Sequence, residues 1–212
     1  MTKLGPRQLD VARCLFELPE AEGFALAGGA ALLAHGVIER PTRDIDAFAA
    51  AKAGPTPGDV RPLAHALTTR LGEDTWTVTV VRSHETFARL VAAKDGEEVE
   101  IDLAVDSPRL FPIEVIDDLP MLAEPDLAAR KVLAILDRSE GRDFTDLEAL
   151  QATLGREQCI RWAKELDAGV TNEAIASAFS NLNRLDDSEL PTTTPASTRS
   201  LYDQWRAELT GD

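Results

Sequence analysis

Two aspartates one residue apart are the clearest candidates for metal chemistry in this sequence. Asp44 and Asp46 lie in the stretch RDIDAF, for which we predict a strand over residues 43–48. Because successive side chains of a strand point to opposite faces, both carboxylates are expected on one face. Two carboxylates this close repel each other unless a cation lies between them, so the pair favours a Mg²⁺ site. The alternative explanation is an exposed strand edge on which the two carboxylates are only a solvated face.

A glycine pair upstream of the aspartates is a candidate phosphate site. The apolar segment FALA predicts a buried strand over residues 24–27, and Gly28 and Gly29 permit a tight turn before a helix over residues 30–35. The first N–H groups of a helix have no partner within the helix, and they attract phosphate. A glycine pair alone is commonly a plain turn, so this interpretation depends on the acidic pair that follows.

The two motifs together resemble those of the nucleotidyltransferase superfamily, in which a Gly-Gly or Gly-Ser turn, a short helix and a D-hydrophobic-D strand follow one another. Here they are GGAAL and RPTRDIDAF, a variant most similar to the AbiEii-type toxins. The resemblance implies that Asp44 and Asp46 hold Mg²⁺ and that Gly28, Gly29 and Arg43 contact the nucleotide. Gly29 stands where many members carry Ser, which removes one hydroxyl contact to phosphate.

A third carboxylate is expected from the strand VEIDLAVD. We predict a hairpin of strands over residues 87–93 and 99–105, joined at an Asp-Gly turn. The second strand places Glu100 and Asp102 on the face opposite its apolar side chains. Asp102 is the first candidate for a further metal ligand and Glu100 the second, because two-metal phosphoryl transfer needs shared and unshared oxygens. An edge strand showing its charge to water is the alternative.

A second stretch, DLAARKVLAILDRSEGRDFTDLEAL, also resembles the AbiEii-type family. The helical period predicts one helix that begins at Pro125 and is ended by Gly141, and another over residues 144–154. The family carries a Lys on one helix and an R-D-hydrophobic-x-D-L motif at the start of the next. The matching residues are Lys131, Arg138, Arg142, Asp143 and Asp146.

This second match implies roles in nucleotide binding and catalysis. Lys131 and Arg138, seven residues apart, are expected to reach the triphosphate, while Asp146 orients Lys131 or contacts the nucleotide. The alternative explanation from spacing alone is a helical hairpin laced by ion pairs, with Lys131 on a solvated face.

Composition bounds the function classes. The 212 residues are 44% hydrophobic and carry a net charge of −15, which argues against a general nucleic-acid binder. Between residues 125 and 164, however, seven basic residues balance seven acidic ones, which leaves room for a local basic face. No apolar run is long enough to span a bilayer and the N-terminus lacks a signal-peptide pattern, so we expect a cytoplasmic protein without a membrane partner. Cys14 and Cys159 are predicted to be reduced core residues.

The element pattern predicts an α+β fold: a nucleotidyltransferase-like mixed sheet flanked by helices over residues 1–120, then a C-terminal helical lobe over 121–212. In the first lobe we also expect a helix over 6–18, a loop over 50–62, a helix that follows this loop and ends near 71, and a strand over 75–82. In the second lobe we also expect helices over 156–166 and 172–185, a polar linker over 186–200 and a last helix over 201–209.

Three function classes stay open. The first, implied by the resemblance, is a Mg²⁺-dependent enzyme that transfers a nucleoside monophosphate from an NTP to an RNA acceptor, the tRNA 3′ end, as the toxin partner of a cognate antitoxin. The second is a nucleotidyltransferase that modifies a small-molecule or protein hydroxyl. The third is a non-catalytic nucleotide-binding module. The intact acidic pair argues against the third, and the second family match argues against the second.

Overall fold

The chain divides into two compact units. The computed structural model describes residues 4–51 and 58–211, and the units are Met1–Ala123 and Glu124–Asp212. Residues 52–57 of the predicted loop over 50–62 lie outside the described residues. No helix in the described part of the chain is long and apolar enough to cross a membrane.

The first unit is built on one mixed sheet, which confirms the predicted fold class. Among the described residues seven strands pair in the order β3-β4-β5-β2-β1-β7-β6. The β2–β5 and β1–β7 pairs are parallel, while the remaining pairs are antiparallel. The strands are β1 (Phe24–Ala27), β2 (Asp44–Ala50), β3 (Thr77–Ser83), β4 (Phe87–Lys94), β5 (Glu97–Asp106), β6 (Glu114–Ile116) and β7 (Leu119–Met121).

The sheet's strand order settles the two edge-strand alternatives. β2 lies between β5 and β1, and β5 lies between β4 and β2. Neither acidic strand is therefore an edge strand, and the explanation that their carboxylates merely protect an edge is wrong. The predicted β4–β5 hairpin is confirmed, with Asp95 at φ 54° and Gly96 at φ 81° in the left-handed conformations that a two-residue turn needs.

In the described part of the first unit, three α-helices cover the sheet: α1 (Pro6–Phe16), α2 (Gly28–His35) and α3 (Arg61–Glu73). Their apolar side chains form the core with those of the strands, and Leu15, Ile45 and Leu67 are fully buried. Helix α2 begins at Gly28 rather than at Ala30, so the glycine pair belongs to the first helical turn. The short strands β6 and β7 were not predicted, because three residues give no periodicity to detect.

The second unit is helical. Its α-helices are α4 (Glu124–Asp137), α5 (Gly141–Leu154), α6 (Arg156–Leu166), α7 (Asn172–Phe179) and α8 (Pro195–Thr210). The expectation that Gly141 ends the first helix is wrong, because α4 stops at Asp137 and Gly141 begins α5. A Cβ at Gly141 would lie 2.1 Å from the Glu189 carbonyl oxygen. The glycine thus permits a close backbone approach.

Two further boundaries differ from prediction. Helix α7 ends at Phe179 and is followed by a 3₁₀ turn over Ser180–Arg184. Thr171 caps the start of α7 by accepting a hydrogen bond from the Ala174 N–H at 3.2 Å. The polar linker over 186–200 is shorter than predicted, because α8 already begins at Pro195. Proline suits that first helical position, where its missing N–H costs nothing.

An aromatic cluster forms the core of the second unit. Tyr202 packs edge-on against Phe144 and Phe179, with centroids 5.1 and 4.8 Å away, and its hydroxyl donates to the Phe144 carbonyl at 2.7 Å. Trp205 is likewise buried, so both rings of α8 belong to this core. Cys14 and Cys159 are free buried thiols, and burial raises the pKa of Cys159 to about 12.

Candidate active site

The start of α2 lies directly against the carboxylate of Asp46. Ala27, the last residue of β1, pairs with Asp46 of β2, and Gly28 follows with φ 56°. A Cβ on Gly28 would lie 1.8 Å from Asp46 Oδ2. Glycine is therefore required here twice, once for the left-handed backbone and once for the space that the carboxylate occupies.

The segment before β2 closes over the same helix start. A Cβ on Gly29 would lie 3.1 Å from Thr42 Oγ1 and 3.4 Å from Arg40 Nη2. The Thr42 hydroxyl donates a short hydrogen bond to Asp44 Oδ1, which restrains that carboxylate. Arg43 is exposed immediately before β2. Thr42 was missed as a site residue, although its place two residues before Asp44 within the family-like stretch RPTRDIDAF is a usable signal.

Four carboxylates meet on one face of the sheet. The parallel pairing of β2 with β5 sets Asp44 opposite Glu100 and Asp46 opposite Asp102. All four side chains are half-buried. This register places both candidates for a third carboxylate, Asp102 and Glu100, beside the acidic pair.

Arg89 of β4 neutralises part of this acidic face. It is paired with Asp102 across the hairpin and donates from Nε to Oδ1 at 2.8 Å and from Nη2 to Oδ2 at 2.6 Å. Its Nη1 also lies 3.3 Å from Glu100 Oε1. The hydrogen bonds that Arg89 donates to Asp102, together with the nearby negative charges, outweigh the effect of burial and raise the pKa of Arg89 further above its already high ordinary value. Sequence reasoning missed Arg89, yet the register of a two-residue turn already pairs residue 89 with 102.

The donor set at this face fits a magnesium ion that shares its coordination with substrate. No group of three or more His, Cys, Asp or Glu side chains is arranged to hold a metal in residues 4–51 and 58–211. Mg²⁺ is usually bound by only one or two carboxylates, with phosphate and water oxygens completing the shell. Asp44 and Asp46 match that requirement, and Gly28 makes room for the Asp46 carboxylate, whose Oδ2 would lie only 1.8 Å from a Cβ at that position. Both oxygens of Asp102 accept from Arg89, so a cation at Asp102 would compete with a guanidinium.

In the second unit, the family-like residues form an ion-pair cluster (Lys131, Arg138, Asp143 and Asp146). Lys131 Nζ lies 2.9 Å from Asp143 Oδ1 and 2.9 Å from Asp146 Oδ2. Arg138 donates from Nε and Nη2 to the two oxygens of Asp143 at 2.9 and 3.0 Å. Lys131 is only 7% exposed. The alternative explanation is therefore right about ion pairs between the two helices but wrong about a lysine on a solvated face.

The cluster contains two positive and two negative side chains, so it is formally neutral. Asp143 and Asp146 are fully buried. Burial raises the pKa of Asp143, but hydrogen bonds from Arg138 and the charge of Lys131 outweigh it and hold that pKa below its ordinary value. Arg142, the remaining family-like residue, is outside the cluster and donates to Glu140 Oε2 at 2.8 Å.

Comparisons with known proteins identify the family and the fold. A sequence model for a family described as the nucleotidyl transferase AbiEii toxin of a type IV toxin–antitoxin system matches residues 11–211. The crystal structure of JHP933 from Helicobacter pylori is similar, with a TM-score of 0.54 and 16% identity over 99% of this chain and 96% of that one. A protein provisionally described as a nucleotidyltransferase from H. pylori gives a TM-score of 0.55 and 15% identity over 98% of both chains. At these identities the likeness shows the fold. No curated protein matches the chain.

Proposed function

Because this chain belongs to the AbiEii family of nucleotidyltransferase toxins, we propose that it transfers a nucleoside monophosphate from an NTP to an RNA acceptor, the tRNA 3′ end. A cognate antitoxin follows from membership of a type IV toxin–antitoxin family. The observation that carries the proposal is the placement of Gly28, whose backbone lies where any side chain would collide with Asp46. Phosphate bound at the start of α2 would therefore lie beside the acidic pair.

The proposed reaction is an in-line attack by an acceptor hydroxyl on the α-phosphate, with pyrophosphate as the leaving group. Asp44 and Asp46 would hold Mg²⁺, which when bound neutralises phosphate charge and makes the attacking hydroxyl more acidic. The hydrogen bond from Thr42 keeps Asp44 oriented for this role. Asp102 stays a proposed further ligand, in exchange with Arg89.

The chain's own backbone would bind the leaving pyrophosphate. The N–H groups of Gly28 and Gly29 belong to the first turn of α2, where intrahelical partners are lacking. These groups can replace the contact that a Ser hydroxyl makes in other superfamily members. Arg43, exposed beside β2, is proposed to contact the same nucleotide.

The ion-pair cluster is proposed to contribute Lys131 and Arg138 to triphosphate binding. Lys131 uses two N–H groups on Asp143 and Asp146, which leaves the third for a phosphate oxygen. The distance of 2.9 Å between Asp146 Oδ2 and Lys131 Nζ supports the proposed role of Asp146 in orienting Lys131. Arg138 is partly exposed and can bind phosphate while it keeps Asp143 as a partner.

The net charge of −15 favours a second candidate acceptor, a small-molecule or protein hydroxyl. A strongly acidic surface repels RNA at long range, whereas it has little effect on a neutral acceptor. The two candidate acceptors can be distinguished by whether a labelled nucleotide is transferred to RNA or to protein.

The experiment is incubation of the purified chain with each α-³²P-labelled NTP, Mg²⁺ and a mixture of total RNA and cell protein. Label in tRNA that is removed by ribonuclease supports the proposal, and label resistant to ribonuclease but sensitive to protease supports the second candidate. Asp44→Ala and Asp46→Ala serve as controls for contaminating activity. If wild type and both variants label RNA equally, the proposed function is wrong.

A further inference from the structure

A basic row continues the acidic face of the sheet toward its edge. The pairings of β2, β5, β4 and β3 align Asp46, Asp102, Arg89 and Arg82 across four neighbouring strands. Directly paired residues point to the same side of a sheet. The charges along this row thus change from negative at the acidic pair to positive at edge strand β3.

A β-bulge brings Arg82 into this row. Val80 pairs with Leu90 of the buried core, and the register then shifts so that Arg82, not Val81, lies opposite Arg89. Without the extra residue Arg82 would pair with Ala88, whose side chain is buried. Bulges characteristically re-aim a side chain near a functional site. Here the bulge places two guanidinium groups side by side.

The two arginines are not equally satisfied. Arg89 is engaged by Asp102 and Glu100, whereas Arg82 is exposed and makes no ion pair with any residue of the described chain. Like charges directly opposite in a sheet are unfavourable unless an anion joins them. Arg82 is therefore available to an external anion next to Arg89.

An aromatic ring completes the surface. Phe87 lies two residues before Arg89 on β4, so it shares the same face, and the Arg89 guanidinium carbon lies 6.0 Å from its ring centroid. Phe87 is half-buried. Single-stranded RNA is bound by such combinations, because bases stack on aromatic rings or guanidinium planes while the phosphates contact cations.

We propose that Arg82, Phe87 and Arg89 form a subsite for the single-stranded end of the RNA acceptor. This inference rests on the proposed function, since it supplies the acceptor that the acidic pair acts on. Three strand spacings separate Asp46 from Arg82, about 14 Å, so a single extended RNA end can lie across the subsite with its hydroxyl at the acidic pair. The row gives an acidic chain a local means to bind RNA.

The subsite is tested by kinetics in which NTP and RNA are varied separately. Arg82→Gln removes the positive charge at the exposed edge, and we expect it to raise the KM for RNA about tenfold with the KM for NTP unchanged. Phe87→Leu keeps an apolar side chain but removes the ring, and should act in the same direction. Arg13→Gln is the matched control, because Arg13 is an exposed arginine of α1 in the same unit.

A binding measurement separates failure of this inference from failure of the proposed function. Fluorescence anisotropy with a short labelled single-stranded RNA needs no transfer. We expect Arg82→Gln to bind more weakly than wild type and its salt dependence to have a slope smaller by about one, while Arg13→Gln behaves like wild type. The inference is overturned if the two variants are indistinguishable, if wild type does not bind the RNA, or if Arg82→Gln changes the KM for NTP instead. If wild type binds the RNA in a way that depends on Arg82 but transfers no label to it, only the proposed function is rejected.

Discussion

The acidic pair of the sheet and the ion-pair cluster of the helical unit use the same residue type in opposite ways. Asp44 and Asp46 are half-buried on a face that they share with two further carboxylates. Asp143 and Asp146 are fully buried, and Lys131 contacts both of them. Like charges held together favour an added cation, whereas buried opposite charges satisfy one another.

This difference predicts that the two aspartate pairs fail differently when they are altered. Removing a carboxylate from the sheet face relieves repulsion and should affect activity. Removing one from the cluster leaves buried positive charge and should affect folding. The same Asp→Asn change at both places tests this comparison without altering side-chain size.

The largest expected effect is the loss of transfer in Asp46→Asn. Asparagine keeps the shape beside Gly28 but removes the charge that a metal requires, so kcat should fall about a thousandfold or more. The melting temperature should stay equal to that of wild type or rise, because repulsion with Asp44 and Asp102 is reduced. Transfer of labelled NTP and a thermal melt measure the two outcomes. Residual transfer within tenfold of wild type would contradict the metal role.

The next effect is the loss of stability in Asp143→Asn. Asp143 accepts from Lys131 and twice from Arg138, and breaking a buried pair by neutralising one partner costs about 3 to 5 kcal/mol. Urea unfolding followed by circular dichroism would measure it. The surface variant Glu157→Gln on α6, where the side chain is exposed, should stay within about 0.5 kcal/mol of wild type. Equal stability of the two variants would show that the cluster contributes nothing to folding.

A smaller effect is expected from adding one methyl group at the sheet site. Gly28→Ala pays for the left-handed backbone and also displaces the Asp46 carboxylate, since its Cβ would lie 1.8 Å from Oδ2. Gly36→Ala is the matched control, because Gly36 has φ 79° but no atom within 4 Å of the added Cβ. Both should lose about 1 to 2 kcal/mol of stability from backbone strain. Only Gly28→Ala should also lose transfer activity. Equal transfer activity in Gly28→Ala and Gly36→Ala would contradict the claim that the close contact between Gly28 and Asp46 matters for the site.

Sequence reasoning succeeded where structure is decided locally. The turn at Asp95 and Gly96 fixes the β4–β5 register, and the alternation of apolar residues in RDIDAF places both aspartates on one face. The strand order β3-β4-β5-β2-β1-β7-β6 was not available from such patterns, because pairing between distant strands depends on tertiary packing. That is why β5 could be mistaken for an edge strand.

Tertiary packing also explains what the sequence patterns could not show at Gly141 and Lys131. Gly141 was expected to end a helix because glycine often does, but its position is decided by the Glu189 carbonyl, which is 48 residues away in the sequence. The sequence around Lys131 has the spacing of a helix with ion pairs on its solvated face. Its burial between Asp143 and Asp146 depends on how α4 packs against α5, which spacing does not show. Arg89 could have been found, since it follows from hairpin register and the predicted role of Asp102.

The smallest expected effect is a difference in the pH dependence of stability between variants of the ion-pair cluster and variants of the acidic pair. The pKa of Asp143 is held below its ordinary value of 3.8, so the unfolded chain takes up a proton at this residue before the folded chain does. The stabilisation is complete above that ordinary value and is lost as the pH falls through the lower folded pKa. Melting temperatures measured from about pH 6 to about pH 3 should therefore fall less steeply in Asp143→Asn than in wild type, by the part of the slope that one carboxylate supplies. Asp46→Asn removes no carboxylate of the cluster and should keep this contribution of Asp143. If Asp143→Asn has the full wild-type slope, the acid sensitivity arises elsewhere and the cluster does not link proton uptake to unfolding.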